Sequence, residues 1–230
     1  MADPFDTAMD GAGLIGEISA AANAEKSVPM AKYMRDQFPF LGVPASVRQP
    51  IQRPYFAVAR EDPHVDWGFV AQCWALPHRE FQYAACDFLF AVRRNLSVDD
   101  LPRIKALASS KQWWDTIDSL TKTVGSIVAS EREGGTALEQ VLGWARDEDF
   151  WIRRLAILHQ LGRKHATDTA SLETILVANL GSDKFFINKA IGWALRDYSK
   201  TDPVWVQRFI TEHRGGLAAL SVREATKYLA

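Results

Sequence analysis

Apolar residues recur three and four positions apart along most of the chain, as at Ile117, Leu120 and Val124. That period makes one face of an α-helix apolar, so the pattern predicts helices throughout. Strict two-residue alternation is scarce. No Asn-Gly or Asp-Gly turn separates two β-branched runs, so hairpins are not expected. Breakers fall at Gly42 and Pro44, Asp62-Pro63, Pro77, Gly134-Gly135, Asp202-Pro203 and Gly215-Gly216. The segments between them have the length of ordinary globular helices. No low-complexity linker divides the chain, and residues 1–230 read as one domain.

Six of the helical segments look alike. They are PASVRQPI from Pro44, EFQYAACDFLFAV from Glu80, QWWDTIDSL from Gln112, DFWIRRLAILHQL from Asp149, KFFINKAIGWAL from Lys184 and LSVREATKYL from Leu220. Their starts differ by 36, 32, 37, 35 and 36 residues. Another helical segment precedes each, such as Val65–Leu76 before Glu80 and Ser171–Leu180 before Lys184. This is the spacing of a helix-pair repeat. The expected fold is therefore all-α, a helical solenoid in which stacked pairs bury a continuous core. One set of helices lines a concave face. The second helices carry Arg, Trp, Tyr, Asn and Asp where packing alone needs only aliphatic residues, so that face is expected to be the working one.

Composition narrows the picture. The chain has 230 residues, 47% hydrophobic and 24% charged, which excludes global disorder. Lys and Arg number 27 against 28 Asp and Glu, so a uniformly basic nucleic-acid coat is excluded. The charge is uneven, however. Residues 1–25 hold Asp3, Asp6, Asp10, Glu17 and Glu25 and no Lys or Arg, which leaves +4 (27 basic against 28 less 5 acidic) for residues 26–230. The acidic segment 1–25 reads as a solubility feature, with a mildly basic body behind it. No apolar run approaches the roughly 18 residues of a membrane span. The start MADPFDTAMD lacks the basic region of a secretory signal, and two cysteines, Cys73 and Cys86, build no disulfide scaffold. A cytoplasmic location is expected.

Candidate chemistry is sparse outside the aromatic residues. The five histidines are scattered, without zinc-ligand spacing, so no metal is expected. GAGLIG at Gly11–Gly16 matches a dinucleotide fingerprint formally, but no strand precedes it, and it reads as the entry to a helix. Eight tryptophans are more telling. Trp113 and Trp114 open a helix that continues through Asp118, and Trp114 and Asp118, four apart, share one face. Arg153 and Arg154 stand on the next repeat, and Lys189 and Trp193 on the one after. Taken singly, a helical Trp is usually core, an Asp near a helix start is usually a cap, and an Arg pair is usually solvated. Taken together on equivalent helices, they favour one site. Arg and Lys bind phosphates, indole faces attract cations, and a carboxylate stabilises positive charge on a sugar. These residues point to cleavage of an N-glycosidic bond in a nucleic acid, while their spacing alone reaches only as far as a polyanion-binding helical solenoid.

At these segments the chain resembles the AlkD family, DNA glycosylases built of HEAT-like repeats that remove alkylated purines. The stretches that carry the resemblance are Met30–Val43 (MAKYMRDQFPFLGV), Arg79–Leu89 (REFQYAACDFL), Ser109–Leu120 (SSKQWWDTIDSL), Trp151–Leu161 (WIRRLAILHQL), Phe185–Lys200 (FFINKAIGWALRDYSK) and Leu220–Leu229 (LSVREATKYL). The tryptophan-rich stretch and FFINKAIGWALR are the specific ones. The resemblance implies base excision of cationic lesions, chiefly 3-methyladenine and 7-methylguanine. It makes Asp118 the catalytic carboxylate, Trp114 and Trp193 the indoles against the lesion sugar, and Arg154 the arginine at the DNA backbone, with Arg153 its rival. Lys189, Phe185, Phe186, Tyr33 and Gln37 are expected to contact the DNA. The partner implied is double-stranded DNA with alkylated bases, bound by a monomer that needs no cofactor, no metal and no membrane. Two rivals remain at this stage. A non-catalytic binder of DNA structures on the same scaffold would have no need of Asp118. A protein-interaction solenoid would lack the steep salt dependence of phosphate contacts.

Overall fold

Local signals in the chain become helix ends. The computed structural model describes residues 9–131 and 135–229. In it Asp10, Asp66, Asp149, Asp168 and Asp202 each accept a backbone N–H from the first turn of the helix that follows. A carboxylate there satisfies a donor without a partner inside the helix and meets the positive end of the helix dipole. The GAGLIG stretch starts a helix in this way, its Gly13 N–H donating to Asp10 at 2.8 Å. Asp3 and Asp6 of the acidic start, and Gly134 of the Gly134-Gly135 break, lie outside the described residues.

All regular structure among the described residues is helical, in two compact units, Met1–Leu96 and Ser97–Ala230. The first unit holds α1 (Gly11–Ala20), α2 (Ala24–Tyr33), α3 (Ala45–Glu61), α4 (Trp67–Ala75) and α5 (Arg79–Ala91). The second holds α6 (Leu101–Ala108), α7 (Trp114–Ser130), α8 (Thr136–Trp144), α9 (Phe150–Leu158), α10 (Thr169–Val177), α11 (Phe185–Tyr198), α12 (Pro203–Glu212) and α13 (Ala219–Ala225). Each of the six look-alike segments supplies one odd-numbered helix, from α3 to α13. Their first residues fall at 45, 79, 114, 150, 185 and 219, intervals of 34 to 36 residues.

In the first unit α3 packs on α5, with α1 against α3 and α4 against α5. Phe88 of α5 sits at the centre, meeting Phe56 of α3 and Phe69 of α4 edge-on at 5.7 and 5.2 Å between ring centroids. The loop from α2 to α3 is fixed from beneath. The fully buried Glu80 accepts the backbone N–H groups of Leu41, Gly42 and Val43 at 2.9, 2.9 and 3.0 Å. Its carboxylate thereby satisfies three donors that the loop would otherwise bury unpaired.

In the second unit α7, α9, α11 and α13 pack in succession, with α6, α8, α10 and α12 against them. The apolar face read from the sequence is the buried one. Ile117, Leu120 and Val124 are fully enclosed, as are Ile152 and Leu155 of α9. Burial of each such side chain stabilises by roughly 1.5–3 kcal/mol, and this sets which way each helix turns. Two glycines let neighbouring helices approach at backbone distance. A Cβ at Gly125 of α7 would lie 2.1 Å from the carbonyl oxygen of His159 at the end of α9. One at Gly192 of α11 would lie 2.9 Å from the carbonyl oxygen of Ser221 in α13.

Candidate functional site

The aromatic residues divide by burial. Trp74, Trp144, Trp151 and Trp205 are core residues, whereas Trp113, Trp114 and Trp193 are only half-buried. Helix geometry produces the division. Trp113 immediately precedes α7 with an extended backbone and Trp114 is its first residue, so neither is enclosed by a preceding turn. Asp118 lies one turn beyond Trp114 on the same face of α7. It caps nothing.

Asp118 is held by α9. Arg154 donates from Nε to Asp118 Oδ1 at 2.8 Å and from Nη2 to Oδ2 at 2.9 Å, while its Nη1 donates to the carbonyl of Phe186 in α11 at 2.6 Å. One guanidinium thus ties three successive helices. The two parallel bonds fix the plane of the carboxylate, which a lysine in place of Arg154 could not do. The Arg154 side chain is 3% exposed and that of Asp118 16%, so the acid keeps a path to solvent while its partner does not. Burial pushes the Asp118 carboxyl up from the ordinary carboxylate range; the hydrogen bonds and charge of Arg154 pull against this, and Asp115 adds to the rise. Arg153, one residue before Arg154, points elsewhere. Its charge acts on Asp147, and its buried Nε has no hydrogen-bond partner.

An aromatic wall stands beside this pair. Trp113 meets Trp151 at 5.9 Å and Phe186 at 5.3 Å; Trp151 meets Phe186 at 4.8 Å and Phe150 at 4.7 Å; Phe185 adds an edge at 5.3 Å from Phe186. The Arg154 guanidinium lies 5.8 Å from the Phe186 ring centre. Gln112 donates to Asp149, which joins the entry of α7 to that of α9. Phe185 is largely exposed at the open edge of the wall. Sequence reasoning missed Phe150 and Trp151 as part of it. The signal was present: aromatic doublets stand at 113–114, 150–151 and 185–186, one at the start of each of three repeats.

The structure therefore brings together Asp118, Arg154, Phe186 and Phe185, with Trp114 on the Asp118 face. Trp193 and Lys189 lie one turn apart on α11, and Lys189 pairs with Glu224 at 2.8 Å. Tyr33 and Gln37 belong to the first unit. Tyr33 ends α2 and is 72% exposed, and Gln37 is exposed in the loop beyond it. Among the described residues, one group of three potential metal ligands occurs, Glu173, Glu212 and His213 on α10 and at the end of α12; it shares no residue with the site. No helix among the described residues is long and apolar enough to cross a membrane.

The decisive likeness extends over nearly the whole chain. Residues 14–229 match the sequence model of the DNA alkylation repair enzymes. The chain belongs to the DNA alkylation repair enzyme family. A solved structure described as a predicted DNA alkylation repair enzyme from Enterococcus faecalis is similar to it over 91% of this chain and 97% of that one, with 34% sequence identity and a TM-score of 0.83. No curated protein matches it. The Asp118–Arg154 pair and its aromatic wall lie within the stretch that matches this family.

Proposed function

We propose that this family member is a monofunctional alkylpurine DNA glycosylase of the AlkD kind. It hydrolyses the N-glycosidic bond of cationic alkylated purines, chiefly 3-methyladenine and 7-methylguanine, in double-stranded DNA. The observation that carries this reading is Asp118, a partly enclosed carboxylate beside an aromatic wall, oriented by two bonds from Arg154 rather than spent on a helix cap. Within the second unit, the helix-pair spacing supports HEAT-like repeats whose odd-numbered helices face the DNA. The protein acts as a monomer in the cytoplasm, with no cofactor.

The chemistry asks little of the protein. Alkylation at N3 or N7 leaves the purine positively charged. When the bond from C1′ to nitrogen breaks, its electron pair neutralises the base, which departs without needing a proton. The positive charge passes to the sugar, where Asp118 stabilises it and orients the attacking water. The water oxygen bonds to C1′ and its proton passes to the carboxylate, a transfer helped by a carboxyl raised above its ordinary range. Trp114 and Trp193 offer their faces to the cationic sugar. Arg154 contributes twice, setting the carboxylate plane and offsetting part of its charge toward approaching phosphates. A lone acid on a DNA-binding face would repel the backbone; a paired one repels it less.

The test is base release from a duplex containing 7-methylguanine, with EDTA present, by wild type and Asp118→Asn. Asparagine leaves one acceptor for Arg154 but removes the counter-charge of its buried guanidinium, so circular dichroism must show the variant folded before its rate is read. Loss of one preorganised group of this kind costs about 10²–10³ in rate, or about 2.7–4 kcal/mol. Equal release by both proteins would make Asp118 a structural partner of Arg154 and no more. No release by wild type, with salt-sensitive DNA binding intact, would make the chain a binder of DNA structures instead.

A further inference from the structure

At the C-terminal end of the second unit, three cations converge on one acid. Glu224 of α13 is 5% exposed in its side chain. It accepts Lys189 Nζ at 2.8 Å, Arg196 Nη1 at 2.6 Å and Lys227 Nζ at 3.2 and 3.1 Å. Three positive charges share one negative charge, leaving a local surplus of two. The Lys189 and Lys227 side chains remain 38% and 47% exposed, and that of Arg196 23%. Glu224 is held down to about 2, chiefly by Lys189, so it stays ionised at every working pH.

A structural staple between α11 and α13 would account for one of these cations but not for three. The two helices are already locked by backbone approach at Gly192, where no side chain fits against Ser221. The Ser221 hydroxyl also donates to the Asn188 carbonyl at 2.8 Å. One cation neutralises the buried acid, and the other two are not needed for that contact. On α11, Lys189 and Arg196 are seven residues apart with Trp193 between them, so all three share one helix face. Side chains fixed in place by a buried acid lose less freedom when they bind an anion.

We infer that Lys189, Arg196 and Lys227, gathered by Glu224, form a cradle for backbone phosphates of the DNA strand beside Trp193. This rests on the reading of the chain as an enzyme acting on DNA. Lys189 was expected at the DNA from the sequence; Arg196, Lys227 and the acid that organises them are additions. The cradle reads no base. It sets where the strand lies and makes binding depend on salt.

The test is duplex binding by fluorescence anisotropy across a KCl series, for wild type, Arg196→Gln, Lys227→Gln and the double variant. Each phosphate contact contributes about 0.9 to the slope of log affinity against log salt. The slope should become shallower by about 0.9 in each single variant and by about twice that in the double. Arg196→Lys and Lys227→Arg should restore it, because charge rather than shape is required. Lys227 lies beyond the last α-helix, so its variant tests the cradle even if the Arg196 variants fold poorly. A double variant with the wild-type slope, beside a wild type that binds and releases bases, overturns the cradle alone. A wild type whose DNA binding ignores salt overturns both the cradle and the reading it rests on.

Discussion

Gly125→Ala is the sharpest test of how α7 and α9 are held. The added Cβ would lie 2.1 Å from the carbonyl oxygen of His159, about 1 Å inside the shortest contact that real Cβ atoms make. The obstacle is backbone, so no side chain can rotate away. Relief requires α9 to move off α7 at its C-terminal end. Such overpacking costs about 1–3 kcal/mol. Replacing a helical glycine by alanine returns about 0.8–1 kcal/mol of helix propensity. The net loss is then up to about 2 kcal/mol, or several degrees in Tm for a chain of this size. Gly143→Ala in α8 is the matched control, because nothing lies within 4 Å of its added Cβ. It should gain stability by up to about 1 kcal/mol. Activity adds a second readout. Gly125 lies seven residues beyond Asp118, about 10 Å along the helix, and His159 five residues beyond Arg154. Forcing the helix ends apart tilts Arg154 against Asp118, and under the proposed role of Asp118 as the catalytic carboxylate a misplacement of about 1 Å costs on the order of 10²-fold. Urea unfolding and base release measured on both variants decide the matter. If Gly125→Ala is as stable as Gly143→Ala and releases bases at the wild-type rate, the close approach of the two helices does not set the site.

Two further perturbations probe buried polar groups. Burial holds His159 down to about 4, and its Nδ1 already faces the Ala156 carbonyl at 2.7 Å. The folded state therefore binds fewer protons than the unfolded one between pH 6.5 and 4. The stability conferred by a neutral His159 is complete above about 6.5 and is lost as pH falls toward 4. The loss is on the order of 3 kcal/mol. His159→Gln should flatten the dependence of urea stability on pH across that window, and an unchanged slope would show that His159 protonates freely in the fold. In the first unit, Glu80→Ala leaves the N–H groups of Leu41, Gly42 and Val43 without their acceptor. A hydrogen bond to a charged group is worth about 1.5–3 kcal/mol, so the loss should exceed about 3 kcal/mol. Hydrogen exchange at those three amides should quicken well before global unfolding, and unchanged protection there would refute the role given to Glu80.

The contrast between Arg153 and Arg154 shows where sequence reading ends. Adjacent residues on a helix point about 100° apart, so only one of two arginines can meet a given neighbour. Which one does depends on the rotation of α9 about its own axis. That rotation is set by the burial of Trp151, Ile152 and Leu155 against other helices. Arg79 and Glu80 make the same point. Both are charged and stand in a stretch whose pattern gives no warning, yet both are fully buried, because both meet a loop some forty residues earlier, Glu80 at its backbone N–H groups and Arg79 over the Phe38 ring at 3.8 Å.

The sequence by itself determined the helices, their apolar faces, the acids that begin several of them and a 32–37 residue beat, which the helix starts of the structure narrow to 34–36. These are local properties, decided within a turn or two of the chain, and they are legible in a string of residues. It also placed aromatic doublets and an acid at equivalent points of successive repeats. Only the tertiary structure decided what those residues do to one another. It tied Asp118 to Arg154 across 36 positions, turned Arg153 toward Asp147, and made Phe150 and Trp151 part of a wall. It also gathered three cations on Glu224. Those partners lie on different helices. Their meeting depends on how each helix is rotated and how closely its neighbour can approach, as at Gly125 and Gly192, and packing of the whole core fixes both.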